Sequence, residues 1–155
     1  MKLLVAATFG VTLMAAFAAG AQERAPLHAC DTLAGNPIDP EHVGTGVRTE
    51  DIRVEQAVAA CLDAVARYPK EPRFMFQLGR AYRQGRRIAD ALQWYQAAAD
   101  LNYPGAWNSL GVMYSQGDGV TADCVKAATY FQLAAAKGYP AADVNMRTLG
   151  CVRQV

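Results

Sequence analysis

Residues 110–142 read LGVMYSQGDGVTADCVKAATYFQLAAAKGYPAA. Leu110, Gly111 and Tyr114, then Ala127, Tyr130, Phe131, Ala134 and Ala135, recur at steps of three and four, the period of a helix buried on one side. Gly117-Asp118-Gly119 separates the two runs, and Gly138-Tyr139-Pro140 ends the second. The stretch is a pair of helices joined by a glycine-rich loop.

An earlier copy of this unit precedes it. Leu78-Gly79-x-x-Tyr82 stands 32 residues before Leu110-Gly111-x-x-Tyr114. The second helix recurs with a shift of 36, so Ala91, Tyr95, Ala98, Tyr103 and Pro104 reappear as Ala127, Phe131, Ala134, Tyr139 and Pro140. The difference sits in one loop, short at Gly85-Arg86 and long from Gly117 to Asp123. Helix pairs with a period in this range mark an α-solenoid. Gly79 and Gly111 lie inside helices, where glycine costs about 1 kcal/mol relative to alanine. Their recurrence predicts close helix approach, with Ala98 and Ala134 as the small residues on the partner helix.

Outward from the repeats, Ile52, Val54, Ala57, Val58, Cys61, Leu62 and Val65 predict one more helix, with Thr49 as its cap and Pro69 as its stop. Residues 22–49 contain Pro26, Pro37, Pro40, Gly35, Gly44 and Gly46 and read as irregular. No alternation of period two occurs, so the fold class is all-α. The expected layout is a signal peptide at 1–21, an irregular segment at 22–49 and a solenoid at 50–155. The solenoid divides into a capping helix at about 50–68, a short repeat at 72–103, a full repeat at 104–139 and a half-repeat at 140–150.

The run Leu110-Gly111-x-x-Tyr114-x-x-Gly117-x-Gly119-Val120-x-x-Asp123-x-x-Lys126-Ala127-x-x-Tyr130-Phe131-x-x-Ala134-Ala135-x-x-Gly138-x-x-x-Ala142 resembles a Sel-one-like repeat, a relative of the tetratricopeptide repeat. Phe74–Tyr103 is a shortened copy without the Gly-x-Gly-Val loop. The lead-in from Cys30-Asp31-x-Leu33-Ala34 to Ala60-Cys61 resembles a module that precedes such repeats in exported bacterial proteins. The resemblance implies a right-handed superhelix that binds other proteins on its concave face. Some cysteine-rich relatives carry a disulfide within each repeat, whereas the cysteines here fall outside both Leu-Gly-x-x-Tyr helices.

Composition and targeting agree with an exported domain. The chain has 155 residues, is 52% hydrophobic and carries a formal charge of +1. These values exclude a disordered chain and give no sign of nucleic-acid binding. Lys2 is the only charge before Glu23, Leu3–Ala19 is apolar, and Ala19-Gly20-Ala21 has the small-x-small form of a cleavage site. The apolar run is short for a membrane anchor. The expected product is periplasmic or secreted, cleaved near Ala21 and without a membrane span. Cys30, Cys61, Cys124 and Cys151 then predict two disulfides. Four cysteines allow three pairings. Stacked helices of a solenoid bring the start of one near the end of the next, which favours Cys124–Cys151 and leaves Cys30–Cys61.

Candidate chemistry is sparse. The cysteine spacing does not suit zinc, so no metal is expected. His28 and His42, the only histidines, lie in the Pro/Gly-rich segment with no group to orient them, and Gly44-Thr45-Gly46 lacks the rest of a phosphate loop. No enzyme and no cofactor are expected. Charge is uneven. Residues 31–63 are acidic, and Arg73, Arg80, Arg83 and Arg87 fall near one face of the first repeat helix. Read outward, this stripe binds an acidic segment of a partner protein; read inward, it neutralises the acidic helix before it. Asn108 and Trp107 hold the corresponding helix of the next repeat, where Asn108 could grip a partner's backbone or bridge two helices. The expected function is that of an envelope adaptor or regulator. The alternative is a polysaccharide or peptidoglycan binder using Trp107 and Tyr114, with a hydrolase the weakest reading.

Overall fold

The computed structural model of the chain describes residues 24–148. The signal segment expected at 1–21 lies outside the described residues, as does Cys151 with the end of the half-repeat. Seven α-helices occur among the described residues, with no strand: α1 (Ala29–Ala34), α2 (Val54–Arg67), α3 (Pro72–Gln84), α4 (Ile88–Asp100), α5 (Pro104–Gln116), α6 (Cys124–Ala136) and α7 (Pro140–Thr148). Consecutive helices pack on one another from α1 to α7 as an all-helical solenoid.

Proline opens the first helix of each unit. Pro72, Pro104 and Pro140 begin α3, α5 and α7, where the missing N–H has no intrahelical acceptor to lose. Gly117 closes α5 at φ 70°, a left-handed cap that glycine adopts without strain. Asp123 then caps α6, its side chain accepting from the backbone N–H of Lys126.

The two helical glycines allow close approach, but to aromatic rings. A Cβ on Gly79 would sit 2.6 Å from Tyr95 Cδ1, and one on Gly111 would sit 2.6 Å from Phe131 Cε1. Tyr95 and Phe131 are equivalent in the repeat, so the same ring fills the same notch twice. Ala98 and Ala134, one turn further on, are buried but are not the atoms nearest the glycines.

The lead-in is more ordered than its proline and glycine content suggests. His28 caps α1: its Nδ1 accepts from the Cys30 N–H, and the Asp31 carboxylate returns to the His28 N–H. Cys30 bonds to Cys61, tying α1 to α2, and both are fully buried. Thr49 does not cap a long helix as expected. Thr49–Asp51 forms one 3-10 turn, the chain then extends so that Ile52 enters the core, and α2 starts only at Val54.

Candidate interaction surface

Helix α3 presents Arg73, Gln77 and Arg80 on one face, spaced by about a turn each. All three are buried, and the lead-in covers them. Arg73 Nε donates to Asp31 Oδ1 at 3.0 Å, and its Nη2 donates to the carbonyls of Ala25 and Pro26, each at 2.8 Å. Its Nη1 lies 2.9 Å from Glu71 Oε2. Gln77 Nε2 donates to Asp31 Oδ1 at 2.9 Å. Asp31 therefore accepts from the His28 backbone, Arg73 and Gln77, enough to hold a carboxylate with no exposed surface.

Arg80 takes a different set of partners. Its Nη1 donates to the Ala34 carbonyl at 2.6 Å, and its Nη2 reaches the Val47 carbonyl and Thr49 Oγ1, each at 3.1 Å. No carboxylate lies within ion-pair distance of it among the described residues. Burial pulls its pKa below the usual arginine value. Arg80 thus clamps two points of backbone through hydrogen bonds.

Beyond Arg80 the lead-in crosses to the later units. Tyr103 Oη donates to Asp39 Oδ2 at 2.8 Å, and Asn36 Nδ2 donates to Tyr139 Oη at 3.1 Å. Tyr103 and Tyr139 are repeat-equivalent, each standing just before the proline of a first helix. Asp39 is buried, and desolvation pushes its carboxyl above 3.8 despite hydrogen bonds from the Glu41 N–H and Tyr103. The same burial pushes both tyrosine hydroxyls well above their ordinary range.

The expected arginine stripe is therefore not an open surface. Arg73 and Arg80 serve the lead-in, Arg83 pairs with Asp118 at 3.0 Å and Arg87 with Asp90 at 2.8 Å. The arginines are paired within the chain, but not with the helix before them: the acids are Asp31 of α1, Glu71 and Asp118 of loops, and Asp90 of α4, and none comes from α2. Asn108 Oδ1 accepts from Asn145 Nδ2 at 2.8 Å, an α5–α7 bridge. Trp107 is only 8% exposed and belongs to the core. Tyr114 stacks on Tyr130, with Lys126 Nζ over its ring.

Asn36, Asp39 and Gln77 also organise this face and carry no signal in the sequence pattern, and Asp31, Tyr103 and Tyr139 stand in recognisable patterns that do not disclose their partners. The recurrence of Tyr103 and Tyr139 was visible, but a hydroxyl position says nothing of what it will meet.

An open groove of about 1160 Å³ runs along one edge, between Pro26 of the lead-in, Tyr68–Pro72 of the α2–α3 loop and Leu101 after α4. No helix among the described residues is long and apolar enough to cross a membrane. With the Cys30–Cys61 bridge, this is compatible with an extracellular or periplasmic protein.

No curated protein and no solved structure matches the chain. The family described as Sel1 repeat matches residues 72–103 and 108–139, which are the α3–α4 and α5–α6 pairs. Sel1 repeats are generally protein–protein interaction modules. The stacked helix pairs and the glycine notches filled by Tyr95 and Phe131 agree with this match, so the α3–α4 and α5–α6 pairs are similar to Sel1 repeats.

Proposed function

We propose that this chain is an exported bacterial adaptor or regulator that binds a partner protein in the cell envelope, on the face built by the first helices α3, α5 and α7. One observation supports this above the others. That face already grips irregular polypeptide, through Arg73 on the carbonyls of Ala25 and Pro26 and Arg80 on those of Ala34 and Val47. Side chains that satisfy backbone carbonyls without reading sequence suit a surface for peptide segments. A partner segment with acidic residues fits its chemistry. Arg83 and Asn108, both partly exposed, are among its accessible polar groups.

The signal peptide at 1–21, the segment boundaries at 22–49 and 50–155, and a Cys124–Cys151 bridge are parts of the same reading. A glycan platform has less support, because Trp107 is buried and Lys126 covers the Tyr114 ring.

The test is in-cell crosslinking of the tagged chain in its native envelope, with an Arg83→Ala/Asn108→Ala variant alongside. The expected result is one protein captured by the parent, bound again as purified components, and weakened at least fivefold by the variant. Binding of purified envelope polysaccharide, with no protein partner, would overturn the reading.

A further inference from the structure

We propose that residues 36–46 are a displaceable strap filling the place of a partner on the first-helix face, and that the partner segment displacing it presents an amide and a carboxylate across one tight turn, as Asn36 and Asp39 do. This rests on reading that face as the partner surface, and it adds how the surface is closed and what opens it.

The strap is anchored at its ends and held between them by three polar contacts, Asn36 on Tyr139, Tyr103 on Asp39 and Arg24 on the Glu41 carbonyl. The Val47 N–H donates to the Gly35 carbonyl at 2.8 Å, closing the loop at its base. Arg80 holds the carbonyls of Ala34 and Val47 on either side of that closure. Cys30–Cys61 fixes α1 just before it. Between these points Asp39 is the only buried residue, and Ile38, the largest apolar side chain, is 69% exposed. A segment with so little buried apolar surface belongs to the low-stability end of a protein's local openings. It can lift while α1 and α2 stay in place.

What the strap meets is built as a recognition surface. Two successive turns, with the Asp39 N–H on the Asn36 carbonyl and the His42 N–H on the Asp39 carbonyl, set its shape. They aim Asn36 at Tyr139 and Asp39 at Tyr103, two equivalent hydroxyls of adjacent units. Gly105, beside Tyr103, admits the carboxylate: a Cβ there would lie 3.0 Å from Asp39 Oδ2. When the strap lifts, both hydroxyls lose their partners, and a segment with the same two groups at the same spacing restores them. Asn-Pro-x-Asp satisfies that spacing, and its proline favours the turn.

The experiment uses the oxidised full chain and a labelled synthetic peptide of residues 34–48 as probe. The parent should bind it weakly, because the strap competes at high effective concentration. The Asn36→Ala/Asp39→Ala variant should bind it at least tenfold more tightly. The gain should vanish with a peptide carrying Asp39→Ala, or when Tyr103→Phe is added to the protein. Should the alanine variant fail to fold, a second variant with residues 36–46 replaced by Gly/Ser of equal length decides. Peptide binding no tighter than to the parent, in a variant with native helical content and the bridge intact, overturns the strap. Capture of an envelope protein is a separate readout: peptide binding that does not tighten overturns the strap alone, and a missing protein partner overturns the reading on which it rests.

Discussion

Asp31 and Arg73 form an ion pair with no solvent exposure on either side chain, and such a pair makes a single loss costly. Removing Arg73 leaves the Asp31 carboxylate buried with only Gln77 and one backbone N–H to hold it. Arg73→Ala should therefore lower stability by about 3–5 kcal/mol, whereas replacing both partners by apolar residues of similar volume recovers most of it. Denaturant midpoints of Arg73→Ala and of Asp31→Leu/Arg73→Met, both oxidised, check this; a single-variant loss below about 1 kcal/mol contradicts a dry ion pair. The helical glycines give a second prediction at this scale. Gly111→Ala drives a methyl into the Phe131 ring, and overpacking of this kind costs about 1–3 kcal/mol. Adding Phe131→Leu should return part of the loss, and no coupling in a double-mutant cycle would sink the ring-in-notch account.

The elements differ in how far their sequences announce them. Helices α3 to α6 carry full apolar stripes, proline starts and repeated breakers, so their order and pairing are readable from spacing. Helix α1 is not: six residues are too few to show a period, and histidine is an unusual cap. The arginine stripe was visible as a helical face, but its partner Asp31 stands 42 positions away and only the tertiary fold joins them. The bridge to α2 is the fastening for this element. It closes a loop of 31 residues, so Cys30→Ser/Cys61→Ser should cost about 3–4 kcal/mol and loosen α1 before the repeats; equal loss of protection in α1 and α5 by hydrogen exchange would contradict that order. The strap has a pH signature of its own. Asp39 is raised above 3.8 by burial, so the folded chain holds its proton more tightly than the unfolded chain. Its contribution to stability is greatest below 3.8 and declines as pH rises through the raised value. Asp39→Asn keeps an acceptor for Tyr103 without that titration, so the variant should gain on the parent between strongly acid and neutral pH. Glu41 is raised first by burial and next by the Asp39 charge, so the variant relaxes it in the same direction, whereas Asp63, lowered first by its hydrogen bond with Arg67, is common to both chains. Parallel pH profiles of the two midpoints would exclude Asp39 as the source.

At the scale of the molecule, the lead-in changes what kind of object the solenoid is. A plain repeat array is held by nearest-neighbour contacts, and its terminal units open independently of one another. Here Asn36 reaches Tyr139 across 103 residues of sequence and Asp39 reaches Tyr103 across 64, while Arg73, Gln77 and Arg80 hold the base of the same segment. The N-terminal segment thus runs along the array and joins its first unit to its last described one. Opening at α7 then costs contacts made by residues before α2, which a linear array does not require. Asn36→Ala should accordingly accelerate hydrogen exchange in α7 several-fold, although α7 is remote in sequence from position 36, while the amides of α4, which the strap's hydrogen bonds do not reach, change little. A variant that speeds exchange in the strap alone would mean that the last unit stands on its α5 and α6 contacts and the segment is only a cover. A variant that speeds both together identifies it as the tie that lets two repeats and a half-unit open as one cooperative body.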